Sequence, residues 1–437
     1  MVLALLVAAP AGASTNVVVV VTDDQRTGTV APNRTPAIWN LIRRPGVSFP
    51  NAHVPTSVCC PSRASILTGL FAHSHGVYTN GPDQEVPGGW PTFLANGMEE
   101  RTIAVALQNA GYRTGLVGKY MNSVDPAHVP AGWSYFVRFA GRYYDYLLDG
   151  TTFGSEPEDY STDVLGERAV SFIRTTPDDQ PLFLLFTPYA PHSGSIPAPR
   201  HENTWHMALK RTPASFREDL ADKPPWLRRL PRTGLRKFVD VLERRTEATM
   251  AVDEAVGKIV AELEASGRLH DTLIVFLSDN GILLGEHHVY GHKNLPYRAA
   301  TNVPMFARWD GRLPAGATSS RLVLNVDLAP TIADAAGIQV DSEGRSLLAE
   351  RERRGFPLEA AAWRHRNRLS VPAFCGYRTK RYAYVHYDGG FEELYDYLQD
   401  PQELENRARS PHFAARRDRL RALAVESCAP PPPGFSW

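Results

Sequence analysis

A chain of 437 residues with 47 basic and 47 acidic side chains carries no net charge that would draw it to nucleic acid, so any charge that matters must be local. Four cysteines are too few for a disulfide scaffold, and Cys375 and Cys428 remain as a candidate pair once Cys59 and Cys60 are set aside. The length suits one large α/β domain with a smaller appendage. No run after the first residues is long enough to span a bilayer, which predicts a soluble mature protein.

The opening Met1 to Ala13 has a short apolar core and an Ala11-x-Ala13 ending, as an export signal has, although it lacks the usual basic start. It predicts a secreted or periplasmic protein; the alternative is a simple extension of the first strand. Asn16 to Thr22 is a valine run of the kind found in strands buried on both faces, and it ends in Asp23-Asp24. Ligands collect beyond the carboxyl ends of strands in α/β sheets, so the two acids are placed to hold a hard cation rather than merely to cap a solvated turn.

Ser57 to Gly69 places Cys59 just ahead of Pro61, Arg63 and a short apolar run that reads as a helix. Free N–H groups and the positive end of the helix dipole favour an anion there, and Arg63 adds a donor fork. The bland alternative is a buried cysteine pair beside a structural helix.

Helical spacing continues at 102–110 and 163–175, and strands are predicted at 112–117 and 182–186. Gly118-Lys119 follows the first of these strands; Pro188-Tyr-Ala-Pro-His192, a proline-fixed loop, follows the second. Residues 195–235 are rich in Pro and Arg and predict a long insertion or lid over the site that sets specificity. The longest helical pattern covers 237–266 and feeds the strand Leu273–Leu277, whose end offers Asp279 and Asn280. With Asp23 and Asp24 these make an all-oxygen set that suits calcium or magnesium better than zinc.

Glu286, His287, His288 and His292 crowd one segment, but no H-E-x-x-H spacing is present and glycines interrupt any helix, so no metal site is predicted there. Past residue 348, aromatic and β-branched residues at 374–387 and 393–397 predict antiparallel strands, with Asp388-Gly-Gly390 as a turn. The tail Pro430 to Pro433 is predicted to be extended or disordered.

Cys59, Pro61, Ser62, Arg63, Thr68 and Gly69 together resemble the C-x-P-S-R signature, followed by four residues and T-G, of the type I, formylglycine-dependent sulfatases. The Cys-Cys form and Gly118-Lys-Tyr-Met-Asn122 are most similar to the N-acetylglucosamine-6-sulfatase branch. The resemblance implies an alkaline-phosphatase-like mixed sheet flanked by helices, with a catalytic domain over 14–348 and a small antiparallel sheet in 349–437. It implies a sulfuric ester hydrolase acting on a sulfated sugar or aryl sulfate, a formylglycine made from Cys59 by a formylglycine-generating enzyme, and calcium on Asp23, Asp24, Asp279 and Asn280. Arg63, Lys119 and Lys293 would bind the sulfate, and His192 would protonate the leaving oxygen. Two alternatives are a phosphate or phosphonate ester hydrolase of the same fold and a non-catalytic sulfated-glycan binder. The chain departs from the family in having Met121 where many members have a histidine two residues after the lysine, which leaves the base for sulfate elimination unassigned.

Overall fold

Five consecutive valines in β1 (Asn16–Thr22) have both faces covered, and their side chains alternate between two separate apolar layers. Val17, Val19 and Val21 enter one layer, and Val18 and Val20 enter the other. Each such buried valine is worth about 1.5–3 kcal/mol. The structure, a computed structural model, describes residues 15–81, 86–207, 213–364 and 370–437. The export signal predicted over residues 1–13 lies outside the described residues.

The remaining strands of the main sheet are β2 (Val47–Ser48), β3 (Arg113–Gly118), β4 (Tyr135–Arg138), β5 (Leu182–Thr187), β6 (Thr272–Ser278), β7 (Met305–Arg308) and β8 (Ala317–Thr318). Their order is β8-β2-β7-β6-β1-β5-β3-β4. β4, β3, β5, β1 and β6 run parallel, and β7 is antiparallel to both neighbours. The first apolar layer is closed by α1 (Cys59–Thr68), α2 (Ile103–Asn109) and, further along the chain, a helix over Leu328–Ala336. The other is closed by α3 (Ser161–Arg174) and α4 (Leu235–Ala265), which packs Val252, Val256, Ile259, Val260 and Leu263 inward. This is the mixed sheet flanked by helices that the resemblance implied.

The small antiparallel sheet follows as β9 (Phe356–Ala360), β10 (Phe374–Arg378), β11 (Tyr382–Tyr387) and β12 (Glu392–Asp396), paired in that order. Gly389 and Gly390 turn between the last two with φ of 87° and 86°. Cys375 and Cys428 are free thiols in one buried cluster with Ala373 and Phe435.

Two expectations are corrected. The tail is neither extended nor disordered: the Phe435 N–H closes a turn onto the Pro432 carbonyl at 3.1 Å, and burial of the Phe435 ring beside Cys428 holds it in place. The described part of 195–235 is pinned rather than lid-like. The Trp205 and Met207 N–H groups donate to Glu247 and Glu243 of α4, and buried Lys223 donates to the Leu404 carbonyl at 2.7 Å.

Candidate active site

β1 and β6 are paired in register to their last residues, Thr22 beside Ser278, so Asp23-Asp24 and Asp279-Asn280 leave the sheet edge side by side. The Asp24 N–H donates to Asp279 Oδ1 at 3.0 Å, and the Gln25 N–H to Ser278 Oγ at 2.8 Å. Asp24 has a φ of 64°, in the left-handed region that Asp tolerates better than most residues. This turn aims both acids of the pair at the same point. Carboxylate oxygens of Asp23, Asp24 and Asp279 all lie within 4.8 Å of one another, and all three residues are buried.

α1 delivers the signature residues to this edge. Cys59 stands in its first turn; Gly69, at φ of 73°, stops the helix by donating to the Ser65 carbonyl. Ser62 donates to the Asp279 carbonyl, and Arg63 Nε donates to Asp279 Oδ2 at 2.9 Å. Arg63 Nη1 also donates to the Lys119 carbonyl at 2.5 Å, tying α1 to the end of β3. Gly118 precedes that lysine because a Cβ there would stand 2.1 Å from the Thr187 carbonyl oxygen. Lys119 Nζ then reaches Asp23 Oδ2 at 2.5 Å.

Cys59 is fully buried between opposite charges. Its thiol points at Asp23 Oδ1 at 3.5 Å, and Lys293 Nζ donates to Sγ at 2.7 Å while also bonding Asp24. His192 Nε2 stands 3.8 Å from Asp24 Oδ2, with its ring stacked 4.6 Å from that of Tyr189. Asp23, Cys59 and His192 also bring side-chain atoms within 4.8 Å of one another. All nine site residues predicted from the sequence therefore converge. Three of them, Asp24, His192 and Lys293, line a cleft of about 210 Å³, with Asn80 and Trp363 at its wall.

Burial pushes the Cys59 thiol up to about 12, and the Asp23 charge adds to this, so the unmodified side chain is a neutral thiol at physiological pH. Burial alone would raise Asp23 and Asp24. Lys119 beside Asp23, Lys293 beside Asp24, and His192 beside both outweigh it and hold both carboxyls below the usual range. Asp279 goes the other way, because burial and the Asp23 charge together exceed the pull of Arg63. Burial lowers His192 despite its two acidic neighbours.

The donor set fits a hard divalent cation. Asn280 donates through Nδ2 to Asp24 Oδ1 at 2.6 Å, yet its Oδ1 is buried with no hydrogen-bond partner. An orphaned amide oxygen among three crowded carboxylates is the arrangement a calcium ion would satisfy.

In the histidine-rich loop, Glu286 and His287 have partners of their own. His287 Nδ1 donates to Glu218 at 2.5 Å and stacks on Tyr297, and Glu286 pairs with Arg26. Cys60 faces away from the cleft; its sulfur accepts from the Asn122 N–H at 3.1 Å, so the Cys-Cys and G-K-Y-M-N stretches are two halves of one contact. Met121 lies in the apolar layer under α1. Sequence reasoning missed Arg245, a buried arginine of α4 that donates to the Asp24 carbonyl. Its signal was a guanidinium set among inward-facing apolar positions of that helix.

The sulfatase family model matches residues 15–338, and the model described as N-sulphoglucosamine sulphohydrolase, C-terminal, matches 285–427. The chain is 33% identical over 362 residues to human (Homo sapiens) N-acetylglucosamine-6-sulfatase, covering 76% of this chain and 63% of that protein. It is 32% identical over 350 residues to the extracellular sulfatase SULF-1 homolog of Drosophila melanogaster, covering 76% and 31%. The chain thus spans less than two thirds of the length of either relative. Among solved structures, one in complex with its substrate D-glucosamine-2-N,6-O-disulfate superimposes with a TM-score of 0.80 at 24% identity, covering 95% of this chain and 98% of the other. A phosphonate monoester hydrolase of Agrobacterium radiobacter gives 0.74 at 19% identity, covering 95% and 96%. At these identities the likeness is one of fold.

Proposed function

Because the chain belongs to the sulfatase family, we propose that it hydrolyses the sulfate ester of a sulfated sugar, with residue 59 as formylglycine and calcium as the metal. The observation that carries this reading is the meeting of Cys59 with three carboxylates and the orphaned Asn280 oxygen at one sheet edge. Formylglycine as its hydrate supplies two hydroxyls on one carbon, one to attack sulfur and one whose deprotonation expels sulfate. Asp23, Asp24, Asp279 and Asn280 would hold calcium, which would supply positive charge to the sulfate.

The chain's own residues do the rest. Arg63, Lys119 and Lys293, whose cationic groups gather at Asp23 and Asp24, would stabilise charge on the equatorial oxygens of the sulfate as the ester bond breaks. His192 gives a proton to the departing sugar oxygen. Once neutral, it is the imidazole grouped with Cys59 and can take the proton of the second hydroxyl, a role that Met121, buried in the core, does not fill. Export from the cytoplasm fits the apolar opening of the sequence.

Co-expression with a formylglycine-generating enzyme, peptide mass mapping and assay on 6-O-sulfated N-acetylglucosamine test the reading. The expected result is an aldehyde at residue 59, an intact Cys60 thiol, and calcium-dependent sulfate release. An active protein with a thiol at residue 59, or faster turnover of a matched phosphonate ester, would overturn it.

A further inference from the structure

A second chamber of about 480 Å³ opens beside the catalytic cleft and shares Ser193, Gly291 and His292 with it as a common wall. Its volume is in the range of about 300–1,000 Å³ usual for ligand sites. One side is formed by Val241 and Arg244 of α4, and Lys237 stands one turn before Val241 on the same helix face. Facing them are Ile196, Leu284 and Tyr290, and among the described residues no acidic side chain lines the chamber.

The charges here are disposed unequally. Glu243 is turned to the Met207 N–H, which donates to it at 2.6 Å. Arg245 is buried and committed to the Asp24 carbonyl, which also fixes this turn of α4 relative to the metal loop. Lys237 Nζ lies 3.7 Å from the centre of the Tyr290 ring, at the chamber wall. Arg244 is exposed into the chamber, and its guanidinium pairs with no acid among the described residues. A solvated arginine on a helix surface needs no explanation. An unpaired one in an acid-free concavity that shares a wall with a sulfate-binding cleft has a defined use.

We infer that this chamber is a second subsite, in which Arg244 receives an oxyanion on the sugar adjoining the one that loses its sulfate. The inference rests on the reading of the chain as a sulfated-sugar hydrolase. A carboxylate and a sulfate ester both present the paired oxygens that a guanidinium fork grips, while the apolar wall covers the faces of the ring. Val241, Ile196 and Leu284 supply that wall. The chain therefore favours a substrate unit inside an anionic glycan over the same sulfated sugar with a neutral neighbour.

The test uses disaccharides of 6-O-sulfated glucosamine whose second sugar is a neutral hexose, a uronate or an O-sulfated hexose. The wild-type protein should prefer one or both anionic partners by about tenfold in kcat/KM, chiefly through KM, as one charge-assisted hydrogen-bond pair gives. In Arg244→Ala that ratio should fall to within about twofold, and Arg244→Lys should restore part of it at low salt. Equal use of neutral and anionic disaccharides by the wild type, or a preference that survives in Arg244→Ala, would overturn the inference. If none of the three is hydrolysed, the proposed activity fails, and calorimetric binding of the same disaccharides to the wild type and Arg244→Ala decides the subsite. An anion preference lost in the variant supports it; no preference, or one kept by the variant, rejects it.

Discussion

Replacing His287 by glutamine removes a buried cation from the loop that carries Lys293, and its effect on stability should depend on pH. Burial alone would push the imidazolium down, but the hydrogen bond to Glu218 and the nearby Glu403 carboxylate outweigh it and hold the pKa up at about 9. The side chains of His287, Glu218 and Glu403 are 2%, 4% and 4% exposed, so solvent screens these pairs little. A rise from the ordinary 6.5 to about 9 corresponds to about 3 kcal/mol of folding stability. Because the folded value lies above the unfolded one, this stabilisation is fully present below pH 6.5 and is lost as pH rises through about 9. Urea unfolding of wild type and His287→Gln, followed by circular dichroism at several pH values, should show a gap of about 3 kcal/mol at pH 6 that closes by pH 9.5. The difference between the two proteins is the reading, since other groups titrate in both. A gap of constant size from pH 6 to pH 9.5 would refute the assignment of this charge to His287.

Asp23→Ala, Asp24→Ala and Asp279→Ala should each weaken calcium binding and activity together, since each leaves a hard cation short of charge and ligands; unchanged affinity in all three by calcium titration would reject the composite site. Lys119→Ala should lower kcat by about 10²–10³, as loss of one donor to a developing oxyanion does, and a loss seen only in KM would remove it from that role. Cys59→Ser keeps an attacking oxygen without its geminal partner, so it should release at most one leaving group per site and retain sulfate on residue 59 by mass; sustained turnover would contradict the two-hydroxyl mechanism.

The central strands were legible in the sequence because burial on both faces leaves a continuous apolar run, as in Val17–Val21 and Leu273–Leu277. The two-residue strands β2 and β8 were not, since two residues have no period to read. The tail misled for a related reason: four prolines state a local preference, whereas its position is set by a distant contact of Phe435. Most of the site residues stand just past strand ends or in the first turns of α1, where a break in hydrophobic pattern marks them, and His192 follows in the proline-fixed loop after β5. Arg245 escaped because it is held by a backbone carbonyl brought near only by folding.

Met121 and Cys60 show how a change beside an active site can be read through packing. Met121 lies within the apolar layer that also holds Cys60, and Asn122 binds the Cys60 sulfur from the next position. A histidine at residue 121 in the same backbone would have to desolvate a titratable ring within that layer, which penalises its charged form. The layer under α1 therefore suits an uncharged side chain. In the proposed reaction, proton transfer then falls to the loop after β5, where His192 lies 3.8 Å from the Asp24 carboxylate and is grouped with Asp23 and Cys59. Its two acidic neighbours favour the charged imidazolium, and burial disfavours it more strongly, so the ring is neutral through most of the physiological range. In the proposed reaction, leaving-group protonation by His192 would be favoured on the acid side of neutrality, and the neutral ring would be the form able to accept a proton as residue 59 returns to its starting state.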